Sequence, residues 1–273
     1  MELKPTKLQT VRGTFSLVDL IVVIGMVVIF SFWFWFSHSG ERGRIVRCAR
    51  NLEVLGQTMQ SYANDHNDCL PAAGINLGNT KVSWDMDLTP YLNPTQTKPA
   101  SVYAKRQLLV AASHLFVCPS DSVQHDGNPR SYAMAACVMA GLKWPISPEC
   151  KTGVGLWWDK YTVLSMLDSD TAQNVMKRPE LLPEIKRSNL LAPADTLLLT
   201  ELFTPDNLLG SLSRTRVWNV NDQETVFKGY SSRIHFEKFN YLMVDGHVEL
   251  LTGLQTGGVG NDLAGIWTIK AGD

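Results

Sequence analysis

The chain has 273 residues, a formal net charge of −1, 19% charged residues and 9% aromatic residues. That balance excludes a disordered chain, and it lacks the charge excess that would point to nucleic acid or to acidic substrates. With a leader and one apolar segment set aside, about 230 residues remain, enough for one or two domains with a real core.

The first predicted element is the run Phe15 to Phe36, 22 residues with a single charge, Asp19. As a helix it spans roughly 33 Å, against about 30 Å for the hydrocarbon core of a bilayer. The run is longer than the apolar part of a signal peptide, and it ends in bulky aromatics rather than small residues. The expectation is a retained transmembrane helix. An ionisable group inside such a span is a functional hypothesis that needs a partner. For Asp19 the natural partner is a free amino terminus, if the chain is cut just before Phe15. Basic residues flank both ends, Lys4, Lys7 and Arg12 before and Arg42, Arg44, Arg47 and Arg50 after, so charge alone does not orient the span.

From Gly40 to about Asn67 the helix is predicted to continue. Ile45, Ala49, Leu52, Leu55, Met59 and Tyr62 recur at spacings of three and four, which is an apolar stripe. Asn64 to Asp68 stops it, because such side chains bind local backbone and favour turns. Asp65, Asn67 and Asp68 lack the spaced ligands and the closing Glu of a calcium loop. Ser83 to Leu92 reads as a short helix or turn, and Thr95 to Ser101 as a loop. Residues 137–188 are the least readable; Trp157 and Trp158 look like buried anchors, and a helix within Lys160 to Lys186 ends at Pro179 or Pro183. Leu197 to Glu201 is an apolar run of strand length, with Glu201 as its polar end or as a ligand or base.

Two β-prone runs follow, Phe239 to Val244 and His247 to Leu251. The Asp245-Gly246 pair between them predicts a hairpin with a type I′ turn, since glycine tolerates positive φ. His235, Asp245 and His247 are the alternative metal set, because histidine and carboxylate combinations bind divalent metals. No nucleophile string or phosphate loop is present, so no catalytic residue and no enzyme activity is assigned, and no cofactor is expected. The tail from Gly253 ends in Ile266 to Ile269, expected as a closing strand. The five cysteines show no Cys-x2-Cys spacing, and an odd count leaves at least one thiol unpaired.

The string Phe15-Ser16-Leu17-Val18-Asp19-Leu20-Ile21-Val22-Val23-Ile24 resembles the start of type IV pilin-like proteins, the prepilins and the pseudopilins of type II secretion. Asp19 stands where the family has Glu, and Thr14 where it usually has Gly. Cys48, Asn51-Leu52, Gly56, Tyr62-Ala63-Asn64-Asp65 and Leu70-Pro71 are similar to a prepilin-like subfamily. So are Cys118-Pro119-Ser120-Asp121, Ser131-Tyr132 and the spacing His235-x9-Asp245-Gly246, by which that subfamily is named. The resemblance implies cleavage between Thr14 and Phe15 by a prepilin peptidase and methylation of the new amine. It implies Asp19 as the carboxylate that pairs with a neighbouring subunit, and a first disulfide between Cys48 and Cys118.

The fold implied is α+β and pilin-like, a long N-terminal transmembrane helix packed on a mostly antiparallel sheet. Its parts are a cytoplasmic leader (1–14), the span (15–36), the helical extension (37–68) and an extracytoplasmic head (69–273). The implied place is the inner membrane, single-pass, with the N terminus cytoplasmic and the body periplasmic or extracellular. The implied function is assembly through the N-terminal helix into a pilus- or secretion-type filament, with the membrane, the peptidase and other pilin-like subunits as partners and no nucleic acid. The alternative is a membrane-tethered binding or metal-dependent hydrolytic domain that never assembles.

Overall fold

No proline interrupts the chain between Pro5 and Pro71, and one helix, α1, fills most of that interval, Leu17–Asp65. The computed structural model describes residues 17–92, 101–143, 147–220, 222–223, 234–257 and 265–269. The leader, Thr14 and Phe15, and most of the 95–101 loop lie outside these. By its contacts the chain divides into two units, at Arg42 and Gly43.

In the first unit, the acidic Asp19 sits in the first turn of α1, where the helix dipole favours a negative charge. The transmembrane expectation is corrected here. Among the described residues no helix is long and apolar enough to cross a membrane. From Leu17 to Phe32 the described side chains are apolar but for Asp19 and Ser31. The span at 15–36 and the single-pass inner-membrane placement, with its cytoplasmic N terminus and outer body, fall with it.

The second unit starts with the rest of α1. Cys48, Leu52, Leu55, Met59, Tyr62 and Ala63 are buried, while Arg47, Arg50, Gln57 and Ser61 are exposed. The stripe read at helical spacing is therefore the core face. Beyond Asp65, Asn67 and Asp68 take left-handed φ values of 53° and 69° and end the helix. Asp68 then accepts hydrogen bonds from Arg187 Nε at 2.7 Å and from the Ser188 amide at 2.8 Å. The Ser188 bonds, ahead of Arg187, hold its carboxyl below the usual carboxylate range.

Five strands make the main sheet: β3 (Tyr132–Ala135), β7 (Leu197–Glu201), β8 (Arg216–Val217), β9 (Phe239–Met243) and β10 (Val248–Leu251), in the order β10-β9-β7-β3-β8. Every residue of β3, β7 and β9 is buried. A smaller sheet, β2-β1-β6, joins β1 (Gly74–Asn76), β2 (Lys81–Ser83) and β6 (Trp157–Asp159). A separate hairpin pairs β4 (Met139–Lys143) with β5 (Ser147–Cys150). The class is α+β, and most strand pairs are antiparallel, but each of the two larger sheets is mixed through one parallel pair. β8 returns beside β3 in parallel, and β6 lies parallel to β1. These parallel partners come from long irregular connections that carry no periodic signal in the sequence.

Helix and sheet approach tightly at Gly56, where an added Cβ would stand 3.0 Å from Leu242 Cδ1 of β9. The β9–β10 turn also differs from expectation. The Gly246 amide donates to Met243 O at 3.0 Å and the Met243 amide to His247 O at 2.9 Å. Gly246 has φ 102°, while Asp245 is not left-handed. This is a three-residue turn closed by a glycine bulge, not a two-residue type I′ turn. The cause is lateral: the Val244 and Asp245 amides donate to Thr196 O and Pro193 O, which draws them off the β10 ladder. The tail forms a 3-10 turn, Gly265–Trp267, and an isolated bridge from Thr268 to Thr152, not a closing strand.

The head carries a fully buried ion pair, Arg130 Nη1 to Asp85 Oδ2 at 3.1 Å, between the lead-in to β3 and α2 (Trp84–Asp87). Arg130 also donates to Asn207 Oδ1 at 2.8 Å and Ser213 O at 2.8 Å, and it lies over the Trp84 ring. Asp85 accepts from the Gly210 amide at 2.7 Å and from the Ser83 hydroxyl. Burial lowers the guanidinium's proton affinity and Asp85 raises it again. Such a pair stands because both the guanidinium and the carboxylate are hydrogen-bonded on several sides, although the neighbouring Trp84 Nε1 finds no partner among the described residues. Asp85→Ala is expected to cost about 3–5 kcal/mol, because it strands a buried cation. Asp85→Ala/Arg130→Met should recover much of that loss; urea unfolding of both chains checks it.

Candidate functional site

Among the described residues of the head, two places are candidates for a site. The first lies under the end of β7, where Glu201 closes the strand with its side chain buried. Its Oε1 accepts from Asn240 Nδ2 at 3.0 Å and its Oε2 from the Asn240 amide at 2.9 Å, both from β9. His235 Nε2 stands 3.0 Å from Glu201 Oε1 and 3.2 Å from Cys118 Sγ. His235 is fully buried and left-handed at φ 51°, and Phe236 and Glu237 follow at 56° and 63°. Three such non-glycine residues in a row store backbone strain. That strained turn delivers the imidazole to the carboxylate.

The remaining wall is the turn after Phe116. Cys118 is joined to Cys48 of α1 by a disulfide. The Cys118 amide donates to Ser131 Oγ at 3.0 Å, and Ser131 Oγ donates to Asp121 Oδ2 at 2.6 Å. Asp121 Oδ2 also faces His125 Nε2 at 3.1 Å. The Asn51 side chain of α1 donates to Val117 O at 3.1 Å. Beside them, Tyr132 donates to Cys48 O at 3.5 Å; burial pushes its phenol well up, with the Glu201 charge next in effect. Cys137 and Cys150 form a second disulfide, and Cys69 is the free, buried thiol.

The residues singled out in the sequence fall in separate places. Thr14 and Phe15 are outside the described residues, and Asp19 lies in the first unit. His235, Asp245 and His247 do not converge. His247 Nδ1 stands 2.7 Å from Asp245 Oδ1 on the half-exposed hairpin turn, while His235 is held by Glu201. The group of possible ligands that does converge, among the described residues, is Cys48, Cys118, Glu201 and His235, with donor atoms all within 4.8 Å of one another. With the two sulfurs bonded to each other, His235 and Glu201 alone remain as ligands. Cys118 is likewise no nucleophile in this state, since the attacking species is a thiolate.

The second place is a cleft of about 370 Å³ at the C-terminal end of α1. Tyr62, His66, Asp87, Tyr91, Lys105 and Glu184 line it. Tyr62 and His66 stack with ring centres 3.8 Å apart, and Tyr91 meets Tyr62 edge-on at 5.9 Å. Tyr62 donates to Glu184 Oε1 at 3.1 Å, and Lys105 Nζ lies 3.0 Å from Asp87 Oδ1. Burial raises the proton affinity of both carboxyl groups; Lys105 opposes this at Asp87, and the Tyr62 hydroxyl opposes it at Glu184. Burial also pushes the Tyr91 phenol up to about 12. Sequence reasoning missed this cleft, because its walls come from 62–91, 105 and 184 with no spacing to connect them.

The Glu184 shift sets a pH dependence. A carboxyl whose proton affinity is raised by folding loses stability as pH rises from the unfolded value through the folded one. Glu184→Gln removes that loss. The variant should match the wild type near pH 4 and exceed it increasingly toward a plateau at neutral pH, read from Tm across pH 4–8. A constant difference would mean that the shift is not there.

Compared with known proteins, the chain matches no family model, no curated protein and no solved structure. The expected pseudopilin class and methylated amino terminus thus find no matching family.

Proposed function

We propose that the chain is an assembly subunit whose N-terminal helix packs with the same helix of neighbouring subunits to build a pilus- or secretion-type filament, with the disulfide-bonded part as its head. The observation that carries this is the surface of α1 from Leu17 to Phe32. Leu17, Ile29 and Phe30 are 75%, 69% and 67% exposed, and Val18, Leu20, Ile21, Val22, Ile24, Val27 and Val28 are all more than half exposed. These positions fall on every side of the helix, so no polar face is left for water. A helix apolar all round belongs in a buried place. Each such side chain that leaves water contributes about 1.5–3 kcal/mol, and a monomer rarely exposes so continuous an apolar surface.

Neighbouring copies supply the cover and fix its chemistry. Within a bundle of these helices, Asp19 would stand in a layer of low dielectric, where a carboxylate draws an opposite charge. An amine of the adjacent subunit close to it would select one axial register. The resemblance in residues 15–24 supports the same arrangement.

A second reading has an observation of its own. The cleft at Tyr62, Tyr91 and Glu184 has the volume and mixed lining of a small-ligand site. It would make the head a binding domain, with or without assembly.

The test is the mass and shape of the full-length chain, purified with its disulfides intact, by sedimentation and electron microscopy. The wild type should form elongated assemblies. Val27→Lys, which puts a charge on the exposed apolar surface, should leave a monomer with an unchanged head melting temperature. A wild type that stays monomeric at tens of micromolar, or a Val27→Lys chain that assembles equally well, overturns the reading.

A further inference from the structure

We propose that reduction of the Cys48–Cys118 disulfide opens a buried site for one zinc ion, held by Cys48, Cys118, Glu201 and His235. The inference is independent of the assembly reading. The four donor atoms already lie within 4.8 Å of one another. A tetrahedral zinc with bonds of about 2.0–2.3 Å sets its ligand atoms roughly 3.3–3.8 Å apart. His235 Nε2 is 3.2 Å from Cys118 Sγ and 3.0 Å from Glu201 Oε1, so these three atoms need to move only by tenths of an ångström. The larger change is the parting of the two sulfurs, which loss of their bond permits. Two thiolates, an imidazole and a carboxylate are a borderline-soft set, suited to zinc rather than to calcium or magnesium.

The step balances with a dithiol as reductant. One of its sulfurs attacks the Cys48–Cys118 bond, the second resolves the mixed disulfide, and the reductant leaves as its own disulfide. Two electrons and two protons pass to the cysteine sulfurs. Zinc then displaces both thiol protons to solvent, takes the lone pair of His235 Nε2, and takes Glu201 as a carboxylate. The complex carries a net charge of −1.

The surroundings fit this role. Glu201 is fixed by two hydrogen bonds from Asn240, the kind of outer support that orients a metal ligand. The strained turn at His235–Glu237 holds the imidazole at the sulfur pair. In the oxidised state the sulfurs bond to each other and the site is closed. In the reduced state a metal would replace the covalent tie, so that α1 stays fastened to the turn at Cys118 in either condition.

The test uses the full-length chain, reduced with dithiothreitol, freed of reductant under nitrogen, and titrated with Co²⁺ as a spectroscopic substitute for zinc. The reduced chain should bind one equivalent with sulfur-to-cobalt charge-transfer bands and the visible bands of a tetrahedral site. The oxidised chain should show none. His235→Ala and Glu201→Gln should each weaken binding by about 10-fold or more. Cys137→Ser/Cys150→Ser, which removes the other pair, should still bind one equivalent. If His235→Ala fails to fold, Glu201→Gln decides. No binding to the reduced chain, equal binding by the oxidised chain, unchanged affinity in Glu201→Gln, or loss of binding in Cys137→Ser/Cys150→Ser each overturns the proposal.

Discussion

The constraint on which the head depends is the tie between α1 and the turn after Phe116. The Cys48–Cys118 bond closes a loop of 70 residues. On a chain-entropy view that closure removes roughly 4 kcal/mol of freedom from the unfolded chain. Its effect in the folded state is positional. With Cys48 fixed, the helical repeat places Leu52, Leu55, Met59 and Tyr62 in turn on the core face. The Asn51 bond to Val117 O and the Tyr132 bond to Cys48 O hold the same junction by hydrogen bonds. Gly56 lets β9 approach, because the missing Cβ is where the Leu242 side chain packs.

Titratable groups also lie deep in the head. Glu201 and His235 meet directly under the disulfide, and Asp85 and Arg130 meet at the lead-in to β3. Neither pair gives stability cheaply, since a buried polar or ionised group costs free energy unless it is hydrogen-bonded. Each is enclosed by amides and carbonyls aimed at it, which spreads the charge over fixed dipoles. Their common effect is geometric. Asp85 joins α2 to the 207–213 loop, and Glu201 joins β7 to β9 and to the turn at His235. Apolar residues of equal volume would fill the same space without fixing which segments meet.

This division also marks what could be read from residues alone. The stripe on α1, the fully buried β7 and the two runs around Asp245-Gly246 show in the sequence because their signals are local: a period of 3.6, an unbroken apolar run, a glycine between strands. The parallel partners β8 and β6 leave no such trace, since a two- or three-residue strand has too few positions to show a period. His235 opens a spacing that resembles one in prepilin-like proteins, yet its expected companions, Asp245 and His247, lie on the hairpin turn. Sequence spacing placed them in one motif; the left-handed turn at 235–237 sends His235 to Glu201 instead. Glu184 and Asp87 were invisible as site residues, because burial alone makes them unusual and burial is a property of the folded chain.

The N-terminal apolar run is the sharpest contrast between composition and consequence. Read as composition, 22 residues with one charge call for a bilayer. Among the described residues, the helix is not long and apolar enough for that. Its side chains from Leu17 to Phe32 nevertheless stand in water on all sides, which is not a stable end state for a folded chain. Residues 43–65 bury one stripe and leave a polar back, as a helix on a sheet does. Residues 17–32 have no polar back, so packing on one face would leave the others wet. Neighbours on several sides would remove the exposure, and on the proposed reading identical helices of other copies supply them. A single partner groove covers one face, whereas a bundle covers all of them, which is why the proposed assembly is a filament rather than a dimer.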